Sequence, residues 1–457
     1  MKSENAKKPI PAEGGQLDPD IVITGGMLLT MVEGEEPLKN ASIFVKDEKI
    51  VQIGKNGEMP IEHGKAHVER IDASRGIILP GLVNAHSHAA MTLFRGYADD
   101  LPLKEWLIDK IFPLEARFLN EKTVYWGALL ACMEMIASGT TCFLDGYFFQ
   151  DGTVRAAQDA GLRALVAQGV IDFPAPGVPD PGENVAAAKA FVEKWQDFSS
   201  LIMPGIFCHS PLTCSERTLR MALEVSSKFG MPLQIHLSET REEVLAVVAK
   251  TGMRPVEYLK DLGWLDRPLI AVHAIHLNDE EIALMAKHRV RVVHVPESNM
   301  KLSSGIAPVD KMLKAGLTIG LGTDGSASNN DLDLFLEMDS AAKLAKISSM
   351  DPVCLSAGEA LKMAVRGGAS VLGLEREIGT IEVGKRADII VVDLDAPHLT
   401  PLYDPCSTLV YSASGSDVKD VIVNGRVLMK DRTFTSLDPD EIKGKVREIS
   451  RAIGLSV

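Results

Sequence analysis

Two histidines near residue 87 have a spacing that suits a metal ion. His86 and His88 are separated by one residue and follow an apolar run. In extended backbone, residues two apart point to the same side, so both imidazoles can reach one ion at about 2.0–2.1 Å. A His-x-His pair also occurs as two polar loop residues, so it needs support from ligands elsewhere in the chain.

Three further residues with suitable side chains each follow a run that is typical of a buried strand. His236 ends the run 233–235, His273 ends 270–272, and Asp324 follows 319–323. A lone histidine at such a position is more often a hydrogen-bonded core residue than a ligand. The agreement of several strand ends predicts a shared metal site, because barrel enzymes gather catalytic groups at the carboxyl ends of their strands.

The carboxylate Glu239 lies three residues past His236, just beyond the predicted strand end. A carboxyl at this place can face the cavity without being forced onto the metal, which suits proton transfer. The alternative is a solvated carboxylate at a helix start, since Thr240 and the acidic pair Glu242-Glu243 follow.

Short strands alternate with longer helical patterns between residues 77 and 374, which predicts an α/β fold with a parallel sheet. The eight strand candidates are 77–79, 141–145, 164–167, 202–208, 233–237, 269–273, 290–295 and 318–322. Eight strands in about 300 residues match a (β/α)₈ TIM barrel. A doubly wound sheet is the alternative, but no glycine-rich nucleotide or phosphate loop supports it.

Both ends of the chain carry β-branched runs separated by turn residues, including the hairpin signal Asn424-Gly425, which suits a type I′ turn. These ends are predicted to form one small β-sandwich. The predicted organisation is a flexible tail over 1–18, sandwich segments over 19–76 and 377–435, the barrel over 77–376, and a C-terminal helix over 436–457.

Composition excludes several classes of protein. Of the 457 residues, 46% are hydrophobic and 24% charged, and the net charge is -14, which argues against a binder of nucleic acid or anionic membrane. No apolar run reaches the length of a membrane span or resembles a secretion signal, so a cytoplasmic protein is expected. The six cysteines lack CxxC spacing, which favours reduced thiols over disulfides or a thiolate zinc site.

The order of these residues resembles the amidohydrolase superfamily: His-x-His after strand one, histidines at strands five and six, and aspartate after strand eight. The segment Glu377–Asp388 is similar to the one by which that superfamily's chain re-enters the sandwich. Within it, the chain resembles the 5-methylthioadenosine/S-adenosylhomocysteine deaminases, and the matching pieces are 86–100, Trp106-Leu107, Phe112-Pro113-Leu114-Glu115, His209-Ser210-Pro211, 236–240, Ser298-Asn299-Met300-Lys301-Leu302 and 322–330.

The resemblance implies roles for particular residues. One divalent metal, expected to be Zn²⁺ with Fe²⁺ or Mn²⁺ as alternatives, would be held by His86, His88, His236 and Asp324. The stretch 206–209 lacks the lysine that bridges two metals in some relatives, so a single metal is expected. The catalytic residues would be Glu239 for proton transfer, Asp324 to accept a proton from the attacking water, and His273 to orient the nucleophile or stabilise charge.

The resemblance also implies a nucleoside substrate and a homo-oligomer, either a dimer or a tetramer. Glu115 would bind the ribose hydroxyls, His209 the purine or sugar edge, and Trp106 would form an apolar wall. The catalytic residues Glu239 and Asp324 would also contact the substrate. Where relatives have arginines after strand three and in the next loop, this chain has Gln168 and a proline-rich loop, 173–181. A neutral 5′-substituent is therefore expected in preference to a charged amino-acid tail.

The expected reaction is hydrolytic deamination of an adenosine-type nucleoside: methylthioadenosine, S-adenosylhomocysteine, 5′-deoxyadenosine or adenosine. An amidohydrolase acting on a guanine-type, pterin or s-triazine ring is the alternative, and Glu115 discriminates, since a bare ring has no ribose. A scaffold without catalysis is disfavoured because every proposed ligand and Glu239 are present. A nucleic-acid deaminase is excluded because Pro405-Cys406 lacks a second cysteine at the required spacing.

Overall fold

The computed structural model describes residues 18–55 and 68–454, and the strands within these ranges form three sheets. In these residues the strands are β1 (Ile21–Thr24), β2 (Met27–Leu28), β3 (Ala41–Lys46), β4 (Lys49–Lys55), β5 (Glu69–Asp72), β6 (Gly76–Pro80), β7 (Leu82–Ser87), β8 (Thr140–Tyr147), β9 (Arg163–Val170), β10 (Ile202–Cys208), β11 (Leu233–Leu237), β12 (Leu269–His273), β13 (Arg291–His294), β14 (Thr318–Leu321), β15 (Ile389–Asp393), β16 (Val418–Val423), β17 (Arg426–Lys430) and β18 (Thr433–Phe434).

The helices alternate with the barrel strands and then end the chain. Their bounds are α1 (Leu103–Glu105), α2 (Phe112–Phe118), α3 (Glu121–Ala137), α4 (Gln150–Ala160), α5 (Asn184–Trp195), α6 (Glu216–Phe229), α7 (Arg241–Thr251), α8 (Pro255–Asp261), α9 (Asp279–Lys287), α10 (Pro296–Lys301), α11 (Val309–Lys314), α12 (Leu334–Ser349), α13 (Ala357–Lys362), α14 (Gly368–Leu372), α15 (Pro405–Tyr411) and α16 (Pro439–Gly454). Among the described residues, none of them combines the length and apolar character needed to cross a membrane.

Eight parallel strands form the barrel in the order β7 to β14, and a bridge between Ser87 and Asp324 connects its first and last strands. Strands such as β8 and β11 are buried along their whole length, as expected where helices cover a parallel sheet. The predicted (β/α)₈ barrel is confirmed. The seven strand predictions from 141–145 to 318–322 correspond to β8 through β14.

The prediction that Ile77–Leu79 forms the first barrel strand is wrong. These residues lie in β6, which pairs antiparallel with β15 in a six-stranded sheet, Leu79 opposite Ile390. The first barrel strand is β7. The chain changes sheets at Gly81, where a Cβ atom would lie 2.0 Å from the Thr141 side chain. Both runs are apolar and fully buried, so hydrophobicity alone does not tell them apart.

The two remaining sheets come from the ends of the chain and share one apolar core. The four-stranded sheet has the order β4-β3-β1-β5, and the six-stranded sheet β18-β17-β16-β15-β6-β2. Their common core includes Ile21, Ile23, Ile43 and Val45 from the first sheet and Ile78, Ile389, Val391 and Ile422 from the second. Asn424 and Gly425 have φ of 49° and 72°, as a type I′ turn requires.

The domain boundaries given above stay predictions, and residues 1–17 of the predicted tail lie outside the described residues.

A buried ion pair joins the barrel to the sandwich. Arg163, the first residue of β9, donates from Nε to Asp388 Oδ2 at 2.9 Å, and both side chains are 2% exposed. Arg163 Nη2 also donates to Asn424 Oδ1 at 3.1 Å. The backbone N–H of Asn424 donates to Asp388 Oδ1 at 2.7 Å. The interface is therefore polar and fully hydrogen-bonded at this point, which offsets the cost of burying two charges.

Asp388→Ala is expected to destabilise the protein by about 3–5 kcal/mol, because the Arg163 guanidinium would stay buried without its partner. Chemical denaturation would measure the loss. Asp395→Ala is the matched control, since Asp395 pairs with Arg75 where both side chains are exposed, and such pairs contribute about 0–1 kcal/mol. Equal losses in the two variants would contradict the special weight given to the buried pair.

Candidate active site

Four predicted ligands meet at the carboxyl end of the barrel strands. One ligand atom from each of His86, His88, His236 and Asp324 lies within 4.8 Å of the others. Asp324 Oδ1 is 3.2 Å from His88 Nε2 and 3.4 Å from His86 Nε2, and His86 Nε2 is 3.3 Å from His236 Nε2. The four side chains therefore converge on one position, and the sequence prediction that they share a site agrees with this geometry.

The protonation of two of the three histidines suits a metal ion, whereas for His88 burial is outweighed by the hydrogen bond and charge of Asp324, which raise its pKa. Burial lowers the pKa of His86 to about 4 and that of His236 well below its usual value, so both are neutral at pH 7, the form that binds metal. Burial tends to raise the pKa of Asp324, but hydrogen bonds from His86 and His88 outweigh it and hold that pKa well below its usual value. Three imidazoles and one carboxylate fit one divalent metal.

Outer contacts orient two of these side chains. His88 Nδ1 lies 2.5 Å from the Gly146 carbonyl oxygen, and because a carbonyl only accepts, Nδ1 carries a hydrogen and Nε2 is the nitrogen that remains for a metal. Asp324 Oδ2 accepts from Ser298 Oγ at 2.6 Å and from Ser328 Oγ at 3.0 Å. Its Oδ1 therefore faces the histidines.

The backbone is strained where three strands end at this site. Ser238, His273 and Asp324 have φ of 52°, 71° and 60°, although none is glycine. Each such residue costs on the order of 1–3 kcal/mol, and positions of this kind cluster at functional sites. The surrounding packing holds these three residues in the left-handed region and aims their neighbouring side chains at the cavity.

Glu239 and His273 face each other beside the four ligands. Glu239 Oε2 is 3.7 Å from His273 Nε2, and its Oε1 accepts from Ser304 Oγ at 3.2 Å. The Glu239 side chain is only 14% exposed, and burial raises its pKa. This contradicts a solvated carboxylate at a helix start. Glu243, not Glu239, accepts from the backbone N–H groups that follow β11. Its Oε2 accepts from the backbone N–H of Glu239 at 2.8 Å.

Besides Glu239 and Asp324, the structure places two predicted substrate contacts, Glu115 and His209, close to the ligands. The Glu115 carboxyl is buried and accepts from Tyr147 Oη at 2.5 Å, and the Tyr147 ring lies 5.8 Å from the His88 ring. Burial raises the pKa of Glu115 to about 7. On the other side, the His209 ring is 5.2 Å from the His236 ring.

A match to a family model covers residues 77–428, which is most of the chain, and the model describes the amidohydrolase family. The chain belongs to the amidohydrolase family. The matched residues include all eight barrel strands and the strands β15 and β16.

The amidohydrolase relatives include enzymes that are named nucleoside deaminases. A 5-methylthioadenosine/S-adenosylhomocysteine deaminase of Syntrophobacter fumaroxidans is 43% identical, with 95% of this chain and 98% of the relative covered. A 5′-deoxyadenosine deaminase of Methanosarcina barkeri is 44% identical over 93% and 96%. The crystal structure of an adenosine deaminase from Xanthomonas campestris with bound zinc is similar with a TM-score of 0.92, 37% identity, and coverage of 96% and 99%.

Trp106, another predicted contact of this amidohydrolase, is 6% exposed and belongs to an apolar cluster with Phe94, Leu114 and Tyr147. Gln168 stands at the position where an arginine is expected by resemblance. It is buried on β9, and its Oε1 accepts from the backbone N–H of Gln150 at 3.4 Å.

Sequence reasoning missed several polar residues around the site. Tyr147 is the last residue of β8, so the rule that strand ends carry function could have found it. Ser298 and Asn299 follow β13, where Asn299 Oδ1 lies 2.9 Å from His273 Nδ1. Both lie in a segment that resembles the family pattern, but the sequence alone assigns them no role. Ser304 lies in the loop after α10, and no sequence signal marks its contact with Glu239.

Proposed function

We propose that this chain deaminates adenosine-type nucleosides by hydrolysis, giving the inosine analogue and ammonia. The range includes methylthioadenosine, S-adenosylhomocysteine, 5′-deoxyadenosine and adenosine. The observation that carries the proposal is the Glu239–His273 pair, in which the side chains are only 14% and 2% exposed, beside a four-ligand cluster. Amidohydrolase relatives at 43% and 44% identity are named deaminases of such nucleosides.

Zn²⁺ is proposed as the metal, held by His86, His88, His236 and Asp324. The donor set suits it, because zinc accepts imidazole nitrogen and carboxylate oxygen in four-coordinate sites. The similar adenosine deaminase structure contains zinc. When bound, such a metal supplies hydroxide at neutral pH, since it lowers the pKa of water toward 7.

Glu239 is proposed to move protons during the reaction. Deamination requires attack of hydroxide on the ring carbon that carries the amino group, a proton on the adjacent ring nitrogen, and a proton on the departing ammonia. A buried carboxyl with a raised pKa holds a proton at higher pH than an exposed one, so it can return protons near neutral pH. Ser304 holds one of its oxygens and leaves the other facing His273.

Asp324 and His273 are proposed to act on either side of the attacking water. Asp324 Oδ1 faces the imidazoles of His86 and His88, from where a carboxylate can accept the water proton. Asn299 orients His273 through Nδ1 and leaves Nε2 toward the cavity. That nitrogen can orient the nucleophile or stabilise charge on the adduct.

The pocket beyond the metal is proposed to read the ribose. Glu115, with Tyr147 on one oxygen, keeps its other oxygen for a sugar hydroxyl. His209 would contact the purine or sugar edge, and Trp106 would support the wall. Gln168 is neutral, so the proposed preference is for a neutral 5′-substituent. Cytoplasmic location and a dimer or tetramer stay predictions.

Absorbance assays of deamination test the proposal: adenine-to-hypoxanthine conversion is followed for adenosine, 5′-deoxyadenosine, methylthioadenosine and S-adenosylhomocysteine, and guanine-to-xanthine conversion for guanine. Turnover is expected on the nucleosides, with methylthioadenosine or 5′-deoxyadenosine above S-adenosylhomocysteine. Glu115→Gln should raise KM for nucleosides, because a carboxylate that accepts a sugar hydroxyl is worth about 1.5–3 kcal/mol. Activity on guanine alone would contradict the proposal and favour the ring-only alternative.

A further inference from the structure

Gln234 is a buried amide in contact with one of the proposed ligands. It lies on β11 two residues before His236, and its side chain is almost inaccessible, with the residue 2% exposed. Its Nε2 is 2.7 Å from His86 Nδ1. Its Oε1 is buried and has no hydrogen-bond partner among the described residues, which is costly for an amide in a protein interior.

The geometry of His86 decides which nitrogen can bind a metal. Nε2 is the atom near the other ligands, 3.3 Å from His236 Nε2 and 3.4 Å from Asp324 Oδ1. A neutral imidazole that binds through Nε2 carries its hydrogen on Nδ1. That hydrogen would point at the Gln234 NH₂ group, so two donors would face each other while the carbonyl stays unpaired.

Rotation of the amide removes the contact between two donors and moves the NH₂ group to the place that Oε1 occupies now. The oxygen and nitrogen of a glutamine side chain occupy nearly the same volume, so turning the group by half a rotation keeps its packing. Oε1 then accepts from His86 Nδ1–H at the place where Nε2 lies now. The carbonyl gains a partner, and the imidazole is fixed in the tautomer whose Nε2 faces the other three ligands.

We propose that Gln234 is a positioning residue of the metal centre: its carbonyl accepts from His86 Nδ1–H and orients His86 Nε2 toward the ion. Gly146 does the same for His88 with a backbone carbonyl. The two members of the His-x-His pair would thus each be held by one outer acceptor, a kind of contact that commonly tunes metal affinity. The inference rests on the metal centre of the proposed function.

The space for this amide depends on Gly146. A Cβ at Gly146 would lie 3.1 Å from Gln234 Oε1 and 2.7 Å from Phe207 Cγ. Glycine therefore leaves room for the amide and the ring at once. The same residue that holds His88 through its carbonyl allows Gln234 to reach His86.

The test measures zinc affinity of the whole chain by competition with a chelator, together with the unfolding temperature of the metal-free protein. Gln234→Met and Gln234→Leu keep the volume but remove the acceptor, and both are expected to bind zinc about 10–100-fold more weakly. Gln234→Glu keeps an acceptor and should retain wild-type affinity. Gln168→Met is the matched control, because Gln168 is a buried strand glutamine that pairs with a backbone amide, and it should bind zinc normally.

The outcomes distinguish a failure of the Gln234 positioning role from a failure of the proposed zinc site. Wild-type affinity in Gln234→Met, or an equal loss in Gln168→Met or Gln234→Glu, would overturn the positioning role. If Gln234→Met loses zinc affinity and its metal-free form also unfolds at a lower temperature than the wild type, the effect is assigned to packing and the positioning role is likewise overturned. If the wild-type chain binds no zinc, the metal centre itself fails.

Discussion

Glu239→Gln is expected to lower turnover of adenosine-type nucleosides by about 10²–10⁴-fold, the usual contribution of a positioned proton-transfer group. Zinc content should stay at the wild-type level, because Glu239 is outside the four-ligand cluster. The amide keeps the size of the carboxyl and can still contact Ser304, but it cannot take up a proton and return it. The measurement is kcat from the absorbance assay, with metal content determined on the same sample.

Glu242→Gln is the matched control for this prediction. Glu242 lies three residues farther along, in the first turn of α7, and is exposed. The same chemical change there should leave kcat and zinc content unchanged. Near-normal deamination by Glu239→Gln would remove Glu239 from the reaction, whereas loss of zinc in that variant would show that it supports the metal site.

The barrel and the four ligands could be predicted because they depend on local pattern. Strand residues alternate in direction, and ligands such as His236 and Asp324 follow apolar runs that are visible in the sequence. The first strand was misplaced for an equally local reason. Ile77–Leu79 and Leu82–Ser87 are both buried, and only their pairing partners, hundreds of residues away for β6, assign them to different sheets.

The outer contacts of the site could not be predicted because they join segments that are distant in sequence. Gln234 meets His86 across 148 residues, and Ser304 meets Glu239 across 65. Such contacts depend on barrel register and on side-chain rotamers, neither of which leaves a repeating signal in one sequence. Alternation does indicate that Gln234 and His236 share a face of β11, which is the part of this contact that the sequence carries.

Asp324→Ala is expected to remove both the metal and the activity. Loss of an outer contact alone commonly weakens metal binding by about 10–100-fold, so loss of a direct ligand should weaken zinc binding by more than 100-fold. Turnover should fall to background at any zinc concentration that the native site would fill. Chelator competition measures the affinity, and the same absorbance assay measures turnover.

The reason for this expectation lies in the charges of the cluster. Asp324 is the only anion among the four ligands. Hydrogen bonds from His86 and His88 lower the pKa of Asp324 and so keep it ionised. Without it, three imidazoles would face a dication with no compensating charge, and Ser298 and Ser328 would lose the oxygen to which they donate. Asp279→Ala, at an exposed aspartate that pairs with Lys311, is the control and should retain zinc. Full metal occupancy and full rate in Asp324→Ala would exclude Asp324 from the site, while metal retained without activity would restrict it to proton transfer from the attacking water.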